Sequence, residues 1–225
     1  MTKIYVYGTV GYDIDADYMR IALDESEGEV ELRINSGGGD VFEGNAIYSL
    51  LESYKSKEGN SVKVYVDGIA ASIASVIAMA GDDIRMSSNA LMMIHNPWMP
   101  SATGGADDLR DMANVLDKIR ETILTVYHSR TGIDRDTIAS MMDEETWLSA
   151  EEAFNFGFSD GIISASEEPV ASIKAFNYAN APVWLKGMST LKKRQANDRV
   201  EYIKRSQAKA KIATTRCCNK KNNVL

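Results

Sequence analysis

Val62-Lys63-Val64-Tyr65-Val66-Asp67-Gly68-Ile69-Ala70-Ala71-Ser72-Ile73-Ala74-Ser75 is the stretch on which the fold turns. Val62–Val66 is rich in β-branched and aromatic residues and reads as a strand. Asp67-Gly68 breaks it, and a helix rich in small apolar residues follows, ending at Ala80-Gly81. Ser72 stands where that helix begins. Two readings of it are open. As an N-cap, its hydroxyl accepts a backbone N–H and stabilises the helix by about 1 kcal/mol. As a nucleophile, it sits where helix N–H groups can stabilise an oxyanion, with Gly68, Ala70 and Ala71 leaving room for substrate. Ser75, one turn deeper, reads as a core or packing residue.

The same alternation of strand and helix extends to both sides. Lys3–Tyr7 reads as a strand closed by Gly8, Asp15–Leu23 as a helix, and Glu29–Ile34 as a strand running into Asn35-Ser36-Gly37-Gly38-Gly39. Helices are expected over Val41–Tyr54 and Ser72–Ala80. Short strands are expected near Ile84–Met86 and over Leu91–Ile94. Asp107–Arg130 carries a long apolar stripe, and Ile133–Met142 reads as a shorter helix. Ser149-Ala150-Glu151-Glu152 is a capping box opening a helix that Gly157 closes, and Phe158–Ile163 reads as a last strand. This order predicts an α/β domain, mostly parallel, with helices packed outside.

Composition sets outer limits. The chain has 225 residues, 44% hydrophobic and 25% charged, ordinary for a globular protein with one well-formed core. The N-terminal sequence has no signal-peptide pattern. The most apolar window, Ile69–Gly81, falls short of the roughly 20 residues a bilayer crossing needs, so no membrane role is expected. Cys217 and Cys218 are adjacent, lack metal-site spacing and fit a reducing compartment. From Lys186 onward there are 12 Lys and Arg against 2 Asp and Glu, a net of +10, which leaves −17 on the rest. An acidic domain over 1–165, a linker over 166–185 and a basic extension over 186–225 are therefore expected. The extension is either a solvated tail or an arm for an acidic partner; nothing in it matches a specific nucleic-acid motif.

Three strand ends carry residues with chemical potential, and ligands collect at the carboxyl ends of parallel strands. Gly37-Gly38-Gly39 permits close backbone approach, so its N–H groups can face a ligand, although a plain turn is equally consistent. Ser72 is the second. The third is His95, which ends the apolar run Met92-Met93-Ile94 and precedes Asn96-Pro97. The chain has two histidines, and His128, late in the long helix, fits a packing or solvent role. A serine hydroxyl needs a base, which His95 can supply near neutral pH. An acid must then hold the imidazole. Asp143-Glu144-Glu145 offers three carboxylates, and by composition alone that run is a solvated turn.

In combination these segments resemble the Clp protease family, barrel-forming serine peptidases of the crotonase-like superfamily. The resemblance spans roughly Ile4–Ile163. Its anchors come in the family's order: Ile34-Asn35-Ser36-Gly37-Gly38-Gly39; Gly44 with Ile47-Tyr48; Gly68-Ile69-Ala70-Ala71-Ser72; Met93-Ile94-His95 with Pro97; Leu148-Ser149-Ala150-Glu151-Glu152-Ala153 with Gly157 and Asp160-Gly161. The resemblance implies a spiral of ββα units with a protruding handle helix over Asp107–Arg130. It implies Ser72 as nucleophile, His95 as general base and an oxyanion hole from the backbone N–H groups of Gly39 and Ile73. No cofactor or metal is implied. The family's aspartate, four residues before the motif serine, is replaced by Glu145; Asp143, two residues earlier, is the other candidate, and a dyad without a firm third member is the remaining one.

Other departures point to a subtype. The first strand begins within a few residues of Met1, so the family's segment ahead of it, which meets an unfoldase, is expected to be missing. Gly37 stands where the family usually has proline. With the Glu145-Thr146-Trp147 variant and the basic extension, these features resemble the Clp-like head maturation proteases of tailed phages and prophages. That resemblance implies capsid or scaffold proteins as substrates in the host cytoplasm or procapsid. The resemblance to the Clp family also implies homo-oligomeric rings of seven, with the handle as the element through which rings stack. The alternatives are a cytoplasmic host-type Clp peptidase working with an ATPase, a crotonase-like acyl-CoA enzyme, and a scaffold component with a dead site.

Overall fold

The computed structural model describes residues 1–164 and Asn180. The chain divides into two units, Met1–Pro182 and Val183–Leu225, and the described residues all belong to the first. Apart from Asn180, the expected linker and the basic extension, with Cys217 and Cys218, lie outside the described residues.

The elements, in chain order, are β1 (Thr2–Val10), α1 (Ala16–Asp24), β2 (Glu29–Gly39), α2 (Val41–Lys55), β3 (Ser61–Ala71), α3 (Ile73–Ala78), β4 (Asp83–Ser87) and β5 (Leu91–Ile94). They continue with α4 (Ala106–Thr131), α5 (Arg135–Asp143), β6 (Thr146–Ser149), α6 (Ala150–Asn155) and β7 (Gly161–Ile163). The architecture is the expected α/β one. Strands β1-β2-β3-β4-β7 form a parallel path, β5 adds to β3 in parallel, and β6 pairs antiparallel with β5. Leu32, Ile34, Val64, Val66, Ile84 and Met86 are fully buried. Removing such side chains from water is what holds helices to the sheet.

Strand β3 changes partner along its length. Lys63–Val66 pair with β4, whereas Ile69–Ala71 pair with β5. Asp67-Gly68 marks the divide. The β1–β2 register shifts between Gly8 and Val10, and the β2–β3 register between Ile34 and Ser36. Three neighbouring strands thus bend at one level. Beyond that bend the sheet delivers Gly39, Ser72 and His95 from the ends of β2, β3 and β5.

Several boundaries differ from the sequence expectation. Both β2 and β3 run further, through the glycines and through Ala71, because ladder hydrogen bonds override the local weakness of Gly and Ala as strand formers. The strand expected from Phe158 shortens to Gly161–Ile163; Phe158 is buried against Tyr127 in an edge-on contact with centroids 5.6 Å apart. Strand β6 was not anticipated. Helix α4 has 26 residues, about 39 Å of axis. Its later part is anchored by buried Ile119, Ile123, Leu124 and Tyr127, while residues 106–111 are all exposed.

Candidate active site

Ser72 sits between β3 and α3 with φ 56° and ψ −131°. A non-glycine residue at positive φ costs about 1–3 kcal/mol and persists when its surroundings fix it. Here the Ser72 N–H donates to Met93 O at 2.9 Å, extending the β3–β5 pairing by one step. Its hydroxyl makes no capping bond to α3. Instead Ser72 Oγ lies 2.8 Å from His95 Nε2. The N-cap reading of Ser72 is thereby excluded, and the two residues that the sequence could only pair by chemistry are in hydrogen-bond contact.

His95 follows β5 and is partly buried. Burial disfavours the imidazolium and lowers its pKa below the ordinary value, while the negative charge of Glu145 opposes that shift. Glu145 follows α5 at φ 52°. Its Oε1 accepts from Trp147 Nε1 at 3.2 Å and from the Asn180 N–H at 2.8 Å. Asp143 is differently placed: its Oδ1 accepts from Asn96 Nδ2 at 2.7 Å and Arg120 Nη2 at 3.1 Å. Those bonds hold its carboxyl below the usual carboxylate range. Of the two carboxylates, Glu145 is the one whose charge acts on the His95 ring.

The glycine run lies against the serine. A Cβ on Gly39 (φ 151°) would fall 2.1 Å from Val10 O, and one on Gly38 (φ 90°) would fall 2.8 Å from Ser72 Cβ. The absence of side chains there lets β2 approach both β1 and the Ser72 turn. The Gly38 N–H is engaged by Ser36 Oγ at 3.1 Å. Gly39, Ser72, Ile73 and His95 border one cavity of about 370 Å³, whose remaining walls are mostly apolar and include Trp98, Val115, Ile119 and Ile123. Such an apolar cleft with a few polar groups at one wall has the character of a ligand pocket.

Ser75 is buried, as its core reading expects, and two polar clusters around this centre join residues that the sequence does not connect. Arg120 Nε donates to Asn96 Oδ1 at 2.9 Å, so Arg120, Asn96 and Asp143 form a clamp beside His95. Ser75 and Tyr127 form a buried hydroxyl pair beneath Ser72, 2.8 Å apart. Neither set has a local signal, since its members come together from 23 to 52 positions apart. Among the described residues no cluster of His, Cys, Asp and Glu could hold a metal ion, and no helix is long and apolar enough to cross a membrane.

Residues 4–166 match the model of the family described as Clp protease. The chain belongs to the Clp protease family. An ATP-dependent Clp protease proteolytic subunit from Deinococcus radiodurans is 30% identical over 157 residues, covering 69% of this chain and 74% of that protein. A subunit of the same name from Leuconostoc citreum is 32% identical over 167 residues, covering 72% and 81%. The solved structure of a mutant ClpP1 from Listeria monocytogenes superposes with a TM-score of 0.62 at 26% identity, covering 72% of this chain and 91% of that one. The mostly parallel sheet with outer helices is therefore a Clp fold, and the chain is a Clp-type serine peptidase. Family membership decides against the acyl-CoA enzyme.

Proposed function

We propose that this Clp peptidase is an endopeptidase in which Ser72 is the nucleophile, His95 the general base and Glu145 the acid that orients the imidazole. The observation that carries the reading is the 2.8 Å contact between Ser72 Oγ and His95 Nε2, made by a serine that does not cap its own helix. Nε2 accepts the hydroxyl proton as Oγ attacks the scissile carbonyl, which requires the neutral ring's proton on Nδ1. The tetrahedral oxyanion forms beside the Gly39 and Ile73 N–H groups. His95 then hands its proton to the leaving amine, and the acyl group stays on Ser72. Water, deprotonated by His95, releases the carboxylic acid and regenerates the serine. The test is labelling with a fluorophosphonate. The wild type is expected to be modified at Ser72, and Ser72→Ala is expected to lose both labelling and peptidase activity; an active Ser72→Ala overturns the assignment.

The substrates we assign are the capsid or scaffold proteins of a phage or prophage, cleaved during head maturation in the host cytoplasm or procapsid. Gly37 in place of the family's proline, the Glu145-Thr146-Trp147 variant and the +10 charge from Lys186 onward support this subtype. Residues 1–165 form the peptidase domain, 166–185 link it, and 186–225 give a basic arm suited to acidic procapsid surfaces. The peptidase works as a homo-oligomeric ring, of seven subunits and stacked through α4, whose first turns are exposed. Co-expression with a phage capsid protein encoded in the same genome, followed by mass spectrometry, tests the role. Specific cleavage that Ser72→Ala abolishes is expected; an intact capsid protein refutes it. The names of the relatives favour a second reading, a host-type proteolytic subunit working with an ATPase. It would be marked by degradation of unfolded proteins only when such an ATPase is added.

A further inference from the structure

We propose that Ser75 and Tyr127 are positioning residues for the oxyanion hole. A chain of hydroxyls from α4, running Tyr127 Oη to Ser75 Oγ to the Ser72 carbonyl, sets the direction of the Ile73 N–H. The proposal rests on the reading of Ser72 as nucleophile and Ile73 as oxyanion donor.

Ser75 is fully buried. Its Oγ has three oxygens in reach: Ser72 O at 2.5 Å, Tyr127 Oη at 2.8 Å and Met93 O at 3.1 Å. A serine hydroxyl has one proton to give. Both carbonyls can only accept, so Ser75 donates to the nearer one, that of Ser72. Tyr127 then donates to Ser75 Oγ. Burial keeps the Tyr127 phenol protonated by raising its pKa. The Ser75 N–H also donates to Ser72 O, at 2.9 Å. One residue therefore holds the Ser72 carbonyl with two donors.

The consequence lies on the opposite edge of the same peptide unit. The Ser72 C=O and the Ile73 N–H share one rigid trans plane and point in opposite directions. Fixing the oxygen aims the N–H. Ile73 opens α3, so its N–H has no acceptor within that helix, and Ile73 borders the cavity beside Ser72 and His95. Donors on the carbonyl oxygen also polarise the amide and strengthen its N–H as a donor. The strained turn at Ser72, φ 56°, gains an external restraint from the handle helix.

The test compares wild type, Ser72→Ala, Ser75→Ala, Tyr127→Phe and the Ser75→Ala/Tyr127→Phe double variant, using a fluorogenic peptide and a peptidyl boronate inhibitor. Ser75→Ala is expected to lose about 10-fold in kcat with KM within about twofold, and to weaken the boronate in step with kcat/KM. Tyr127→Phe is expected to lose less. The double variant is expected to be no worse than Ser75→Ala, because Tyr127 acts through Ser75. The pH midpoint of kcat/KM stays in place, since His95 is untouched. Wild-type kcat in Ser75→Ala, with Ser72→Ala inactive, overturns the positioning role and leaves the nucleophile standing. An active Ser72→Ala overturns both. Should Ser75→Ala not fold, an unchanged kcat in Tyr127→Phe overturns the proposal by itself.

Discussion

Gly44 on α2 and Ile73 on α3 pack so closely that a Cβ at position 44 would lie 2.1 Å from Ile73 Cγ1. Cγ1 is near the root of its side chain, and Ile73 is almost fully buried. The added carbon can be accommodated only by displacing the Ile73 side chain or the packing of α2 on α3, and either disturbs the helix that begins beside Ser72.

Gly44→Ala is therefore expected to lower kcat by about 10-fold or more, since small misplacements of reacting groups are costly. Steady-state kinetics and circular dichroism on the same samples check this. A fully active, folded variant would show that the close approach does not govern the Ser72 turn.

The pH dependence of kcat/KM should carry the signature of His95. The neutral imidazole is the base, so activity rises with pH through its pKa. Burial lowers that pKa, which places the rise on the acid side of an ordinary histidine. Glu145→Gln removes the charge that opposes the shift, so the midpoint should move lower still while the plateau falls. A midpoint above the ordinary imidazole value contradicts the burial argument.

The two carboxylates near the site should be separable by mutation. Glu145→Ala is expected to lower turnover by roughly 100-fold or more, by analogy with loss of an orienting acid in serine peptidases. Asp143→Ala removes one shared acceptor but leaves Arg120 bonded to Asn96, and should cost far less. The opposite ranking in kcat would move the assignment to Asp143.

Asp67 tests the bend of the sheet. It is buried and accepts from Tyr7 Oη at 2.6 Å and Arg33 Nε at 2.9 Å, with an ion pair to a second Arg33 nitrogen. Asp67→Ala leaves Arg33 beside Glu31 but strips the larger part of its pairing, at a cost of about 3–5 kcal/mol. Tyr7→Phe removes one hydrogen bond and should cost about 1 kcal/mol. Urea unfolding midpoints measure both, and equal losses would refute the ranking.

Much of the layout was legible in the sequence because it is written in short-range periodicity. Glu29–Ile34 alternates, α4 repeats its apolar stripe, and Ser149 with Glu152 forms the expected capping box, the Glu152 Oε2 accepting from the Ser149 N–H at 2.8 Å. Strand β6 was not legible. Thr146-Trp147-Leu148-Ser149 is four residues long, and its identity comes from pairing with β5.

The sequence by itself determined the order of elements apart from β6, the candidates Ser72 and His95, and the glycines that let backbone approach backbone. Those follow from residue type, turn chemistry and periods of two and 3.6, which operate over a few residues. Tertiary structure decided that the Ser72 hydroxyl turns from its own helix to His95, and that Asp143 is held by Asn96 and Arg120. It also decided that Tyr127 reaches Ser75 from 52 positions away. Such contacts depend on how three strands bend together and on where α4 crosses them, and no local pattern carries that information.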